Sequence, residues 1–413
     1  MLRPYLLLAQ VPHAFPLLGA CLLARLHQPA INLVLTFLIA DWTGSYAAGG
    51  VIGGAITVGQ AVAGPMRGRA VDRSEPSRVL LITGCGYGLG LVLIAFLARP
   101  GGWLPASWWW LLLPVAFATG LSFPPAGQVG RAMWMRIADG PARQAAFAAE
   151  ATLNELLFVV SPILAAFAVA VQGAFAATLW CAAISALGSA GFAVTLWRSG
   201  LRPMPSGGER PGGRSLLAAP GFGLLLGFGC LMIGGVITVD LLIVGWARER
   251  GTPELAGYLA AAWAIGSLIG GLLLGATSGR PRVWLRGLLV TAGIVVLVPV
   301  LPPVADPGSP WLVTAVLLVG GFAIAPMFAA ANALLGELAP EGRRVEAFGW
   351  MASAGQAGAA IAAPVTGALL DLSGPAAAAA VGAVLAAVAV CLVAHPGVRR
   401  SRSAQCTEDT AVT

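Results

Sequence analysis

The chain has 413 residues, of which 58% are hydrophobic and only 10% are charged, and its mean hydropathy is +0.85. Soluble domains carry about a quarter of their residues as charged side chains, so this composition excludes an ordinary soluble protein and indicates one embedded in lipid. The formal charge of +7 does not indicate nucleic-acid binding, because the arginines lie in short breaks between apolar runs and form no continuous basic stripe.

The apolar runs predict membrane-spanning helices, since about 20 apolar residues are needed to cross the hydrocarbon core of a bilayer. Twelve runs meet this length, and the interval between the sixth and the seventh is rich in proline and glycine, as is typical of a linker. The predicted spans are residues 17–40, 46–67, 79–98, 108–130, 147–171, 174–197, 219–246, 255–278, 284–302, 311–335, 346–370 and 375–394.

These spans predict an all-α membrane protein with two pseudo-symmetric six-helix bundles. The N-terminal bundle covers residues 1–197, a cytoplasmic linker covers 198–218, the C-terminal bundle covers 219–395, and a polar cytoplasmic tail covers 396–413. Arginine is concentrated in alternate connections, whereas the opposite loops hold only Arg99, Arg248 and Arg250. Because positive loops stay in the cytoplasm, we expect an inner-membrane protein with both termini cytoplasmic.

The two halves carry the same small residues at matched positions. Gly120 and Pro125 in the fourth span correspond to Gly321 and Pro326 in the tenth. The second and eighth spans share the residue pairs Gly59 and Gly266, Gly64 and Gly271, Gly68 and Gly275, and Arg73 and Arg280. Small residues let membrane helices approach closely, and a chain of two similar halves is the usual plan of a secondary transporter.

The connection after the second span contains Gly68-x-x-x-Asp72-Arg73, followed by Arg78. Together with the twelve spans, the repeat and the central linker, this motif resembles the signature of the major facilitator superfamily over almost the whole chain. The resemblance implies a conformational latch of these four residues, in which Asp72 lies near the N-terminus of a helix in the other half, with the eleventh span as the expected partner. The alternative is a solvated loop that only sets topology. In the copy of this motif in the second half, Gly279 occupies the position that corresponds to Asp72.

Charged residues inside the spans predict a proton-coupling site. Glu155 lies about 13 Å into the fifth span at 1.5 Å per residue, so it must be paired, protonated or in a water-lined cavity. Arg25 lies at a similar depth in the first span, which the resemblance places alongside, and is its expected partner. The resemblance also places Asp240 on a cavity-lining helix. For Glu155 and Arg25, the alternative to proton coupling is a purely structural ion pair. For Asp240, the alternative is an anchor at the membrane interface. Glu150 is expected to reach the cytoplasmic surface and to bind Asn154.

Uncharged polar residues in the spans that line the cavity by resemblance are candidates for substrate contact. These are Asn32, Gln128 and Asn332, and hydrogen bonding between helices is the equally weighted alternative. The segments 23–26, 154–162 and 346–350 resemble a bacterial branch of drug-efflux-type and unassigned permeases.

The sequence therefore predicts a secondary transporter that moves a small molecule across the inner membrane, with proton-coupled efflux of a lipophilic compound as the main hypothesis. An uptake symporter for a sugar, nucleobase or other metabolite is the first alternative, and a non-transporting receptor or scaffold is the second. The chain has no lysine and only three histidines, so we expect neither an enzyme nor a cofactor or metal site. The expected partners are a small-molecule substrate, protons and the lipid bilayer, and no nucleic acid. We expect the protein to be a monomer.

Overall fold

The computed structural model describes residues 3–200, 216–218, 221–252, 254–274, 282–306 and 309–396, and within these ranges all regular structure is helical. The α-helices are Arg3–Ala9, Ala14–Arg25, Ile31–Thr43, Tyr46–Arg73, Pro76–Leu97, Leu112–Leu121, Ala126–Ile137, Gly140–Arg198, Phe222–Glu249, Glu254–Leu274, Val283–Leu297, Trp311–Gly321, Ile324–Leu338, Arg344–Ser373 and Pro375–Ala394. Short 3-10 turns occur at Ala106–Leu111, Leu216–Ala218, Val298–Val300 and Glu341–Arg343.

Twelve crossings can be traced through these helices, as the sequence predicts. Nine helical segments of the described chain are long and apolar enough to cross a membrane, and one of them, Gly140–Arg198, contains two spans. They meet at Gly173, whose φ of 81° is a backbone conformation that glycine adopts easily and other residues rarely do. Ala14–Arg25 and Ile31–Thr43 together make the first span, and Arg344–Ser373 makes the eleventh.

Three spans are interrupted within the membrane, and polar side chains from neighbouring helices satisfy the exposed backbone groups. At the break in the first span, the carbonyl of Leu26 accepts a hydrogen bond from Ser161. At the break in the fourth span, the carbonyl of Phe123 accepts one from Arg67. Non-helical backbone is tolerated at membrane depth only where such partners replace water.

The break in the tenth span is capped in the same way. The amide of Ala325 donates to the hydroxyl oxygen of Ser267 at 3.1 Å, and Arg286 donates to the carbonyl of Pro326 at 2.8 Å. The eighth span, through Ser267, and the ninth, through Arg286, thus support the break in the tenth, and the second span supports the break in the fourth.

Matched glycine contacts show the repeat in three dimensions. A methyl group at Gly59 in the second span would lie 3.0 Å from the Cα of Gly120 in the fourth. A methyl group at Gly266 in the eighth span would lie equally close, at 3.0 Å, to the carbonyl carbon of Leu318 in the tenth. The sequence repeat therefore corresponds to one helix contact that each half makes separately.

The two halves meet near the arginine-rich face, defined as the ends of the spans that carry Arg69, Arg73, Arg136, Arg143 and Arg343. The second span contacts the eleventh where Gly64 faces Gly349, and the fifth contacts the eighth where Thr152 faces Gly271. Met135 of the fourth span packs on Gly336 of the tenth. The positions Gly275, Gly279 and Arg280 of the second motif lie outside the described residues, as do residues 201–215 of the expected linker and 397–413 of the expected tail.

Candidate functional site

A carboxylate of the first half caps a helix of the second half. The first amides of a helix have no partner within the helix, and the eleventh span begins at Arg344. The carboxylate of Asp72 accepts hydrogen bonds from two of these amides, that of Val345 at 3.1 Å and that of Glu346 at 2.8 Å. A negative charge at the positive end of a helix dipole is favourable. Asp72 is half-buried and lies where the resemblance places it.

Glycine at position 68 makes this approach sterically possible. A methyl group on Gly68 would fall 2.5 Å from the Cα of Glu346 and 2.6 Å from the carbonyl oxygen of Val345. Real Cβ atoms essentially never come this close to other atoms. One turn earlier, a methyl group on Gly64 would lie 2.9 Å from the carbonyl oxygen of Gly349. The second and eleventh spans therefore touch backbone to backbone.

Two arginines, one from each half, hold the side chain of Glu346. Arg69 Nε lies 2.7 Å from its Oε1 atom and Arg343 Nη2 lies 2.9 Å from its Oε2 atom, while the carboxylate is only 2% exposed. The sequence analysis did not identify either Arg69 or Glu346 as part of the latch. The structure places Arg73 and Arg78 on the exposed surface, and no hydrogen bond or ion pair among the described residues joins them to the eleventh span.

The expected pairing of Arg25 with Glu155 is wrong. Arg25 Nη1 lies 3.2 Å from Glu150 Oε1, and both side chains are buried. Glu150 is therefore part of the protein interior, and the expectation that it reaches the cytoplasmic surface is also wrong. The reason is helix geometry, since a separation of five residues turns the two carboxylates of the fifth span by about 140° around the axis.

Glu150 is the centre of a wider buried cluster. Its Oε1 atom also lies 3.2 Å from Arg131 Nε, and its Oε2 atom accepts a hydrogen bond from Trp134 Nε1 at 3.0 Å. Arg25 donates to the side-chain oxygen of Asn154, so Glu150 and Asn154 are joined through the arginine. The spacings of three residues between Arg131 and Trp134 and four between Glu150 and Asn154 place each pair on one helix face, a signal that could have identified them.

Glu155 of the first half and Asp240 of the second lie near enough to interact electrostatically. Asp240 is exposed and Glu155 is half-buried, yet many protein atoms surround both carboxylates, and Asp240 acts electrostatically on Glu155. Neither carboxylate forms an ion pair within the part of the chain that the structure describes.

The three uncharged candidates have different environments. Asn32 is exposed, with its side-chain oxygen 3.3 Å from the position that a methyl group on Gly53 would take. Gln128 is buried and lies one turn from Arg131 on the same helix face, whereas Asn332 is half-buried. No hydrogen bond joins the three side chains to one another in the described ranges.

Comparison with known protein families gives one match, which covers the second half of the chain. The model of the Major Facilitator Superfamily matches residues 223–407, which make up the second half of the chain. We find no curated protein with significant sequence similarity to this chain.

Solved structures match over almost the whole length. A bacterial homologue of the iron transporter ferroportin, in an outward-facing state with soaked iron, has a TM-score of 0.71 at 16% identity, covering 95% of this chain and 98% of that one. The human organic anion transporter MFSD10 (TETRAN) has a TM-score of 0.68 at 16% identity, covering 93% and 100%.

The proton:xylose symporter XylE, bound to 6-bromo-6-deoxy-D-glucose, has a TM-score of 0.68 at 13% identity, covering 92% of this chain and 95% of that one. At such identities these similarities describe the fold. The second half of the chain therefore matches the superfamily model, and almost the whole chain has the fold of these transporters.

Proposed function

We propose that this protein is a proton-coupled secondary transporter that exports a small lipophilic molecule by alternating access. Transport of a small molecule, and not catalysis, is the activity that the match of the second half and the shared fold support. We also propose that the protein is a monomer in the inner membrane, with both termini and the arginine-rich face in the cytoplasm. The linker at 198–218 would divide the chain into its two bundles.

The interaction between two carboxylates from opposite halves carries the proposal. Glu155 belongs to the first half and Asp240 to the second, so any movement of the halves changes their separation. Like charges that interact repel, and binding of one proton relieves the repulsion. A proton can thus be held in one arrangement of the halves and released in another, which is what coupling requires.

The contacts of Asp72 support the conformational part. They join the halves near the arginine-rich face through two hydrogen bonds to backbone amides, which can break and reform without repacking a core. We assign the described arrangement to a state closed on the cytoplasmic side, in which these residues act as the latch.

The comparisons support a small solute without selecting one, because the three matched transporters are named for iron, organic anions and xylose. Export is favoured by the apolar character of the spans, which offer few counter-ions to a highly charged cargo. Candidate cargo contacts are Asn32, Gln128 and Asn332.

The proposal is tested with the purified full chain in liposomes that contain the pH indicator pyranine. Probes that carry no titratable proton are added outside: 2-naphthalenesulfonate, N-methylquinolinium and naphthalenemethanol. An antiporter takes a probe inward and sends protons outward, so the lumen becomes alkaline. We expect this signal with at least one probe, and we expect Glu155→Gln to abolish it while exchange of the labelled probe continues.

Glu75→Gln is the matched control, because Glu75 is an exposed acid in the connection after the second span. It should leave the signal unchanged. Acidification of the lumen would instead indicate a symporter and would overturn the export mechanism. If no probe moves in any variant, the non-transporting alternative is favoured.

A further inference from the structure

The buried cluster around Glu150 has more positive than negative charge. Arg25 and Arg131 share one carboxylate, and the remaining described partners, Asn154 and Trp134, are neutral. Buried charge is costly unless it is balanced, so a surplus guanidinium inside a membrane protein requires a further anionic or polar partner.

The surplus lies on Arg131. Its Nε atom faces Glu150, whereas its Nη1 and Nη2 atoms have no hydrogen-bond partner among the described residues. Many protein atoms surround the side chain, yet 19% of it is accessible, compared with 7% for Arg25 and 4% for Glu150. Of the three charged side chains in the cluster, Arg131 is therefore the one that an external group can reach most easily.

The second half has no equivalent charge. In the repeat that pairs Gly120 with Gly321, the position of Arg131 corresponds to Asn332, a neutral residue that is half-buried. Met135, one turn further along the fourth span, packs on Gly336 near the meeting line of the halves. The free edge of Arg131 thus lies close to apolar side chains, beside the line where the two halves meet.

We propose that Arg131 forms a subsite for one anionic group, a carboxylate, sulfonate or phosphate, on an otherwise apolar cargo. The planar edge of a guanidinium offers two parallel N–H donors, which match the paired oxygens of such a group. Glu150, held in turn by Arg25 and Trp134, fixes the orientation of that edge. This inference rests on the proposed transport function and narrows its cargo to amphiphilic anions.

Binding to the purified full chain in detergent tests the subsite separately from transport. The probes are 2-naphthoate, 2-naphthalenesulfonate and 2-naphthyl phosphate, each compared with the neutral 2-naphthamide and naphthalenemethanol. We expect at least one anion to bind at least tenfold more tightly than the neutral compounds. Arg131→Gln should weaken that binding about tenfold or more, since it removes a charge-assisted hydrogen bond, and Arg131→Lys should weaken it less.

Changes of opposite charge distinguish recognition from a purely structural role. Asn154→Asp adds a negative charge to the cluster without removing a partner of Arg25 and should weaken anion binding about threefold or more, whereas Glu150→Gln should strengthen it. Gln10→Glu and Glu75→Gln change exposed residues by the same charges and serve as the respective controls. If Glu150→Gln does not fold, the comparison of Asn154→Asp with Gln10→Glu decides.

The inference is overturned if anions and neutral compounds bind equally, if no anion binds, or if Asn154→Asp and Gln10→Glu have the same effect. Anion binding without any flux would contradict the proposed transport function and leave the subsite intact. Flux without any preference for anions would support the proposed transport function and contradict the anion subsite.

Discussion

Removal of the Asp72 carboxylate directly tests the contact between the halves. Asp72→Ala removes both hydrogen bonds to the amides of Val345 and Glu346, and Asp72→Asn keeps one neutral acceptor. If each bond to the charged acceptor contributes about 1.5 kcal/mol, alanine costs the closed state about 3 kcal/mol and asparagine about half of that. These losses correspond to roughly hundredfold and tenfold shifts toward separated halves.

The shift toward separated halves can be measured by mass spectrometry as the hydrogen-exchange rate of the backbone amides of Val345 and Glu346. Because first-turn amides have no partner within their own helix, Asp72 is what protects them. Exchange in peptides that contain residues 345 and 346 should accelerate up to about a hundredfold in Asp72→Ala and about tenfold in Asp72→Asn. Glu75→Gln should change nothing. Unchanged exchange in a folded Asp72→Ala protein would show that the contact does not hold the halves together.

Two further predictions concern stability. Gly59→Val should lower the free energy of unfolding by about 1–3 kcal/mol or more in detergent denaturation, because its side chain would overlap the fourth span, whereas Gly54→Val points into open space and should be tolerated. Equal effects of the two would contradict the close helix contact. Glu150→Met should cost about 3 kcal/mol, since it leaves Arg25 and Arg131 buried without their shared carboxylate, while Asp306→Met removes the exposed partner of a surface ion pair and should cost less than about 1 kcal/mol. Similar losses would argue against a tightly held interior cluster.

Features that depend on the order of residues along one segment could be derived from the sequence. Apolar length determined the twelve spans, because each must cross the same thickness of hydrocarbon. Repeated glycines predicted close helix contacts, and the structure places Gly59 and Gly266 at equivalent ones. Asp72 could be identified because it belongs to a short contiguous motif. The start of the eleventh span, which Asp72 contacts, could also be predicted, because the apolar run of that span begins there.

The partners of the intramembrane charges were decided by tertiary structure alone. A helix in lipid is apolar on nearly every side, so its sequence lacks the periodicity that shows which face points inward. The choice between Glu150 and Glu155 as the partner of Arg25 depends on the rotation of the fifth span about its axis, which neighbouring helices set. For the same reason, the open edge of Arg131 and the approach of Glu155 to Asp240 exist only after the spans have packed.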